Sequence, residues 1–264
     1  MIFTENISSK NNDRIKYAVK LRDKDSFRRN EGLFFLEGAR LCYDAAISGM
    51  EITEIYVTEQ AQEKYCDYVP SIERVAGRSF LVSREVAEKL GDTQNTQGVF
   101  CLCKMLDKNT NIGKIKYNGK YIALECVSNP SNFGAVVRTA EAMGLDGVIV
   151  SGGCDIYNPK SQRASMGSLF RMDVFETDDL PSFLGELAEN GMKIYAGVPD
   201  SDALKITEAD MSGGVVSIIG NEGNGITDKT LSAATHLVTI PMKGRAESLN
   251  AAAAASIMIW EMMR

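Results

Sequence analysis

The sequence predicts an α/β protein, with a mainly parallel sheet in its second half and a small α/β/α domain before it. Three observations point there. Short apolar runs rich in Val, Ile, Leu and Phe alternate with helical stretches along the chain, the pattern of strands and helices wound into α/β layers. At 264 residues there is room for one large or two modest domains. Residues 107–118 are polar and turn-rich, which marks a linker between domains at 1–106 and 119–264.

In order, the first domain shows strands at Leu33–Leu36, Ile52–Thr58, Ser79–Val82 and Gln97–Cys103. Between them lie helices at Leu41–Ser48, 59–66 and Arg84–Leu90. The second domain opens with a strand at Tyr121–Val127 and a helix at Ala135–Met143, stopped by Gly144. A strand at Gly147–Val150, a short helix within Asp155–Phe170 and a strand at Met172–Phe175 follow. Next come a helix at Leu180–Asn190 and a strand at Lys193–Val198. Two strands expected to be buried, Val215–Ile219 and His236–Ile240, and a helix at Leu249–Arg264 close the chain. No internal repeat or low-complexity segment interrupts this alternation.

Composition narrows the function classes. Apolar content of 44% and charged content of 24% are those of an ordinary globular protein. A net charge of −6 argues against wholesale coating of nucleic acid and leaves room for a local basic face. The six cysteines form no CxxC pair, so no structural metal site is expected, and free thiols suit a reducing cytoplasm. The first residues lack the basic and apolar regions of a signal peptide. The run Ala251–Trp260 is too short to span a bilayer, so no membrane association is expected. His236 is the sole histidine and receives no role, which leaves Ser-His and Cys-His schemes without a second candidate.

One local basic face stands out. Between Lys10 and Arg29 there are eight cations (Lys10, Arg14, Lys16, Lys20, Arg22, Lys24, Arg28, Arg29) against three acids (Asp13, Asp23, Asp25). Ile15, Val19 and Leu21 supply a helical apolar stripe. The segment is either a solvated amphipathic helix or an anchor for RNA phosphates. Its contrast with the acidic remainder favours the anchor.

Candidate chemistry lies in three later segments. Gly220-Asn221-Glu222-Gly223-Asn224-Gly225 follows a strand, where ligands collect in open α/β sheets and where glycines admit a close backbone. It matches neither the dinucleotide fingerprint nor a Walker A loop. A plain glycine turn explains the glycines but not the carboxylate of Glu222 between them. In Asn129-Pro-Ser-Asn132-Phe-Gly134-Ala-Val-Val-Arg138, Arg138 stands one turn after two small residues. A helical side chain leans toward the N-terminus, so Arg138 can reach back to the loop; otherwise it pairs with a surface acid. Asn132 is otherwise an N-cap, as is Ser248, with Asn250 in the first turn of the final helix.

Taken together and in order, these segments resemble one family. Asn129-Pro-x-Asn132-x-Gly-Ala-x-x-Arg138-Thr-Ala, Ile219-Gly-Asn-Glu222-Gly-x-Gly and Ile240-Pro-Met-x-Gly-x-x-x-Ser248-Leu-Asn250 look like the three motifs of the SpoU (TrmH-type) RNA ribose 2′-O-methyltransferases, of the SPOUT superfamily. The likeness covers residues 119–264. More loosely, Arg28/Arg29 and Gly32-Leu-Phe-Phe-Leu-Glu37-Gly38-Ala-Arg40 are similar to the substrate-binding domain of the rRNA enzymes in that family. Ser128 departs from the acid or amide common there, and Ala251–Ala255 from a stretch often containing Val.

The resemblance implies a trefoil-knotted α/β domain, S-adenosyl-L-methionine as cofactor, and a homodimer burying the C-terminal helix. It implies a catalytic set of Arg138, Asn132, Glu222, Ser248 and Asn250. It places the cofactor against Gly220, Asn221, Gly223, Ile240, Met242, Ser248 and Leu249. RNA contacts are expected at Arg14, Lys16, Lys20, Arg22, Arg28, Arg29 and Arg40. The expected activity is transfer of a methyl group to a ribose 2′-hydroxyl, with 23S rRNA the favoured substrate because of the extra N-terminal domain. A tRNA ribose 2′-O-methyltransferase and a non-catalytic ribosome-associated RNA-binding protein are the alternatives.

Overall fold

The computed structural model describes residues 4–106 and 114–264. The first three residues and 107–113, most of the expected linker, lie outside the described residues. Contacts divide the chain into two compact units, Met1–Asp107 with Tyr157–Phe170, and Lys108–Ile156 with Arg171–Arg264.

The first unit runs β1 (Glu5–Ile7), α1 (Asp13–Asp23), α2 (Asp25–Glu31), β2 (Leu33–Glu37), α3 (Ala39–Ile47), β3 (Ile52–Val57), α4 (Glu59–Lys64), α5 (Val69–Val75), β4 (Arg78–Val82), α6 (Arg84–Leu90) and β5 (Val99–Lys104). Its strands order as β1-β4-β3-β5-β2. β5 is antiparallel to both neighbours, and the β1, β4 and β3 pairings are parallel. On one face, Ile15, Ala18 and Leu21 of α1 and Val86 and Leu90 of α6 pack on Phe35, Tyr56, Phe80 and Phe100. Each such side chain stabilises the fold by roughly 1.5–3 kcal/mol when fully buried. Successive strand residues face opposite ways, so Cys101 points away from Phe100, to the side that α3 covers, where the free thiol of Cys42 is also buried. Helices therefore cover both faces, as expected of an α/β/α domain. The segment Tyr157–Phe170, with α8 (Pro159–Ser165), joins this unit. Phe34 packs 4.7 Å from Tyr157 and 6.3 Å from Phe170, ring to ring.

The basic segment is two helices rather than one stripe. Lys24 leaves helical geometry at φ −122°, ψ 111°, and Asp25 starts α2. Arg28 is a correction to the expectation of a phosphate contact. It is 2% exposed, and its Nη1 donates to the Leu21 and Arg22 carbonyls at 2.6 and 2.7 Å. Those belong to the last turn of α1, whose carbonyls have no helical partner.

The second unit contains β6 (Lys120–Glu125), α7 (Pro130–Met143), β7 (Gly147–Ser151), β8 (Val174–Glu176), α9 (Leu180–Glu189), β9 (Lys193–Gly197), β10 (Leu204–Lys205), β11 (Val215–Ile219), α10 (Asp228–Ala233), β12 (His236–Thr239) and α11 (Ala251–Met263). Its seven strands order as β10-β12-β9-β11-β6-β7-β8, and every pairing is parallel. β11 lies between β9 and β6, although both precede it in the chain. Leu180, Phe183, Leu184 and Leu187 of α9 pack on Tyr121, Ala123, Ile194 and Ile218. Helices α7 and α11 run side by side in the same direction. Asn132 meets Asn250 at their first turns, and Thr139 meets Ser256 about two turns on.

Three boundaries shift. Helix α7 begins at Pro130, because Asn129 caps it, accepting from Ser131 N at 2.9 Å, and proline suits a first helical position. Asn132 is thus inside the helix and not its cap. Helix α11 is capped by Asn250 and not by Ser248. The strand at 236–240 is buried only at Val238 and Thr239; Leu237 is 42% exposed. The short elements β1, β10, α5 and α10 were not expected, being too brief to repeat a period.

Candidate functional site

Three loops leave the carboxyl ends of adjacent or near-adjacent strands of the second unit: 126–129 after β6, 220–225 after β11 and 240–250 after β12. The strand order reverses direction here, where open α/β sheets bind ligands. The loop after β11 closes on itself. Asn221 and Gly225 exchange both backbone hydrogen bonds, at 3.0 and 2.9 Å. A Cβ on Gly220 would come within 2.2 Å of the Gly225 carbonyl carbon, so only glycine fits. Gly225 turns the chain at φ +71°, a region that favours glycine. The Asn221 side chain accepts from Gly223 N and Asn224 N and donates to the Cys126 carbonyl at 2.8 Å, tying this loop to that of β6.

Glu222 explains the carboxylate among the glycines. Ser128 N and Oγ donate to its Oε2 at 3.1 and 2.9 Å, and Asn129 N and Asn132 Nδ2 donate to its Oε1 at 3.1 and 2.9 Å. Partial burial alone would raise the pKa of Glu222, but the Asn132 amide and the backbone N–H groups outweigh it and bring it down to about 2. Donors to the charged form lower a carboxylate pKa in this way.

From Glu222 a directional relay runs through two amides. An ionised carboxylate only accepts, so the Asn132 NH₂ must face it, leaving the Asn132 oxygen to accept from Asn250 Nδ2 at 3.1 Å. Asn250 is fixed at its other end, since its oxygen caps α11 by accepting from Ala252 N and Ala253 N at 3.0 and 3.3 Å. Asn132 is 8% exposed. Arg138, six residues further along α7, is exposed and takes no hydrogen-bond or ion-pair partner among the described residues.

Beside the relay lies a cavity of about 710 Å³, within the range of small-molecule sites. Gly220, Asn221 and Gly223 line it from the first loop, and Ile240, Met242, Ser248 and Leu249 from the second. Glu222 and Asn250 also line it, but Asn132 and Arg138 do not. Met242 and Leu249 are each 38% exposed, apolar surface that a bound molecule would cover. Sequence reasoning missed the wall formed by Gly197, Val198, Pro199, Ala254 and Met258. The run Gly197-Val198-Pro199, a glycine at a strand end followed by proline, was the available signal. A Cβ on Gly197 would lie 2.9 Å from the Met258 sulfur.

The expected RNA contacts are spoken for to different degrees. Arg14 pairs with Glu54 at 3.0 Å, Lys16 with Asp13 at 2.9 Å and Arg29 with Asp25 at 3.0 Å. Lys20 lies over the Phe27 ring. Arg22 Nη1 donates to the carbonyls of Lys89, Leu90 and Gly91, at the end of α6. Arg40 pairs with Asp44 at 3.0 Å and stays 62% exposed. Among the described residues, no cluster of three His, Cys, Asp or Glu could hold a metal ion, and no helix is long and apolar enough to cross a membrane.

Residues 119–260 match the SpoU rRNA Methylase family, and residues 12–101 match the MRM3-like substrate binding domain. The 23S rRNA (guanosine(2553)-2'-O)-methyltransferase RlmP of Bacillus subtilis is 30% identical over 97% of this chain and 98% of its own. The AdoMet-bound crystal structure of an rRNA methyltransferase from Sinorhizobium meliloti superposes with a TM-score of 0.85 at 26% identity, covering 97% of this chain and 96% of that one. A crystal structure described as an RNA 2'-O ribose methyltransferase gives a TM-score of 0.83 at 28% identity, covering 97% of both chains.

Proposed function

Because the chain belongs to the SpoU rRNA methylase family, we propose that it transfers a methyl group from S-adenosyl-L-methionine to a ribose 2′-hydroxyl of 23S rRNA. The observation that carries the site assignment is the relay Glu222–Asn132–Asn250 beside the cavity, with Arg138, which has no partner among the described residues, on the helix that bears Asn132. The cavity suits the cofactor: glycine backbone approaches it closely, and Met242 and Leu249 offer uncovered apolar surface. Gly220, Asn221, Gly223, Ile240, Met242, Ser248 and Leu249 would hold it. When bound, the sulfonium supplies an electrophilic methyl group.

This chain's residues orient the acceptor. Arg138 holds the phosphate beside the target ribose and stabilises negative charge developing on the 2′-oxygen. A guanidinium stays protonated in proteins, so Arg138 is an electrostatic group and not the base. Asn250, at the cavity wall, orients the ribose, Asn132 fixes the Asn250 amide from behind, and Glu222 holds both in register. Ser248 positions the cofactor loop. Orientation supplies much of the barrier reduction when the methyl donor is already reactive.

The domains would divide the work, with 1–106 binding RNA and 119–264 carrying the chemistry. A trefoil knot is the proposed topology, supported by β11 lying between β6 and β9 after both. A homodimer through α11 is supported by Ile257 and Trp260, 37% and 58% exposed and close on one helical face; Trp260→Glu should give monomers in sedimentation. A cytoplasmic protein is the matching location.

The test is mass spectrometry of 23S rRNA incubated with the protein and cofactor. Ribose methylation should appear with wild type and vanish with Arg138→Ala, which should still bind S-adenosylhomocysteine in calorimetry. Full activity of that variant would remove Arg138 from the mechanism.

A further inference from the structure

The first unit carries an aromatic and cationic cluster in which only Arg40 has been given a role. Arg40 lies in the first turn of α3. Its Nε donates to the carboxylate of Asp44, one turn on, whose side chain is 8% exposed. Its guanidinium lies 5.9 Å from the ring centroids of both Tyr43 and Tyr68. Those rings are 4.9 Å apart, inclined by 33°. Tyr43 belongs to α3, and Tyr68 precedes α5, which packs against α3. Ile47, one turn beyond Tyr43, is 59% exposed, and Val75, at the end of α5, is 49% exposed. Just before α5, Lys64 Nζ lies 5.4 Å from the Tyr65 ring centroid.

Arg40 differs from Arg22 and Arg28, whose Nη1 groups end on helix carbonyls. It is steered by one buried acid and two rings, yet more than half of its side chain meets solvent. A guanidinium ordered in advance loses less freedom when it binds an anion. Half-buried tyrosines beside it offer aromatic surface. Cation and ring together match a nucleotide, which has a phosphate and a flat base. Duplex bases are already stacked and closed to such a surface, whereas unpaired bases stack on aromatic and arginine planes.

We propose that the α3–α5 face is a subsite for an unpaired nucleotide of the RNA substrate, with its base against Tyr43 and Tyr68 and its phosphate on Arg40. The inference rests on the RNA-methyltransferase reading and deepens it by naming the form of RNA that the first unit takes. Cation–aromatic pairing favours RNA over a protein partner, for which Ile47 and Val75 alone would suffice.

The experiment uses the full chain and two probes, a 4-thiouridine-containing oligouridylate and a duplex of equal length. Wild type should bind the single strand more tightly, and photocrosslinks should map to the peptides holding Tyr43 or Tyr68. Tyr43→Leu, which keeps an apolar side chain without the ring, should weaken single-strand binding about tenfold, the loss of one stacked base. Tyr43→Phe should bind as wild type. Arg40→Gln should lower the salt slope of binding by about one phosphate contact. Each variant should bind S-adenosylhomocysteine as wild type does, which shows that it is folded.

Unchanged affinity of folded Tyr43→Leu and Arg40→Gln, crosslinks confined to α1 and α2, or equal binding of the duplex would overturn the subsite. Those results leave the methyltransferase reading standing if wild type still methylates 23S rRNA. A wild type that neither methylates rRNA nor binds S-adenosylhomocysteine fails the reading itself.

Discussion

Arg28 in the first unit is 2% exposed and gives its Nη1 to two carbonyls at the end of α1. Arg138 in the second unit is exposed on α7 and has no partner among the described residues. Both stand in segments singled out as ligand-binding on sequence. What separates them is whether the fold saturates the guanidinium. A buried arginine must be paired, because an uncompensated buried charge is costly. An arginine left exposed, with no hydrogen-bond or ion-pair partner among the described residues, on the helix that carries Asn132 keeps its donors for something else. A positive charge in a sequence therefore marks a ligand site only once the helix ends near it have been counted.

The largest effect tests Arg138. If it acts on the developing 2′-oxygen, Arg138→Ala should lower kcat by about 10²–10³-fold, the cost of removing one such donor. Its thermal midpoint should stay near that of wild type, since the exposed side chain has no hydrogen-bond or ion-pair partner among the described residues. Arg28→Met should show the opposite profile. Losing charge-assisted hydrogen bonds to the end of α1 should cost about 2–3 kcal/mol in urea denaturation. Its kcat should hold at temperatures where it is folded. If Arg28→Met were as stable as wild type but poor in RNA binding, the contrast between the two arginines would collapse.

A smaller effect separates the two duties of Asn250. Serine caps a helix nearly as well as asparagine, so Asn250→Ser should change stability by no more than about 0.5 kcal/mol. It lacks the amide that donates to Asn132, so kcat should fall about tenfold, about the worth of one hydrogen bond. Equal kcat would reduce Asn250 to a cap.

Much of this site is legible in the sequence because it lies in chain-local patterns: glycines around Glu222, small residues before Arg138, and an asparagine at the start of an alanine-rich helix, although the cap there is Asn250 and not Ser248. The order of most elements was legible for a related reason, since a strand or helix long enough to repeat its period shows it, whereas α5 and α10, of seven and six residues, did not. The partners were not legible. No spacing says that Ser128 and Glu222, 94 residues apart, share a bond, or that Arg22 closes α6, 67 residues away. Nor does it show that Tyr157–Phe170 packs with the first unit. The Ser128–Glu222 pairing follows from the strand order of the second sheet, which sets β11 beside β6 although β7, β8 and β9 come between them in the chain.

The smallest effect concerns acid, and it sharpens the comparison by replacing a cation with an anion. Glu222 is exposed like Arg138 but satisfied like Arg28, with four donors on its carboxylate. Its pKa lies below the ordinary 4.5, at about 2. A depressed folded-state pKa stabilises the protein above the unfolded value, and that contribution disappears as pH falls through the folded one. Glu222→Gln should therefore be less stable than wild type at neutral pH, because a glutamine amide cannot accept at both ends from the same donors. The gap should be constant down to about pH 4.5, narrow below it, and vanish near pH 2. Urea midpoints measured at several pH values would show this convergence. A gap that stays the same at pH 2.5 and pH 7 would mean that shape, and not charge, is what Ser128, Asn129 and Asn132 hold at Glu222.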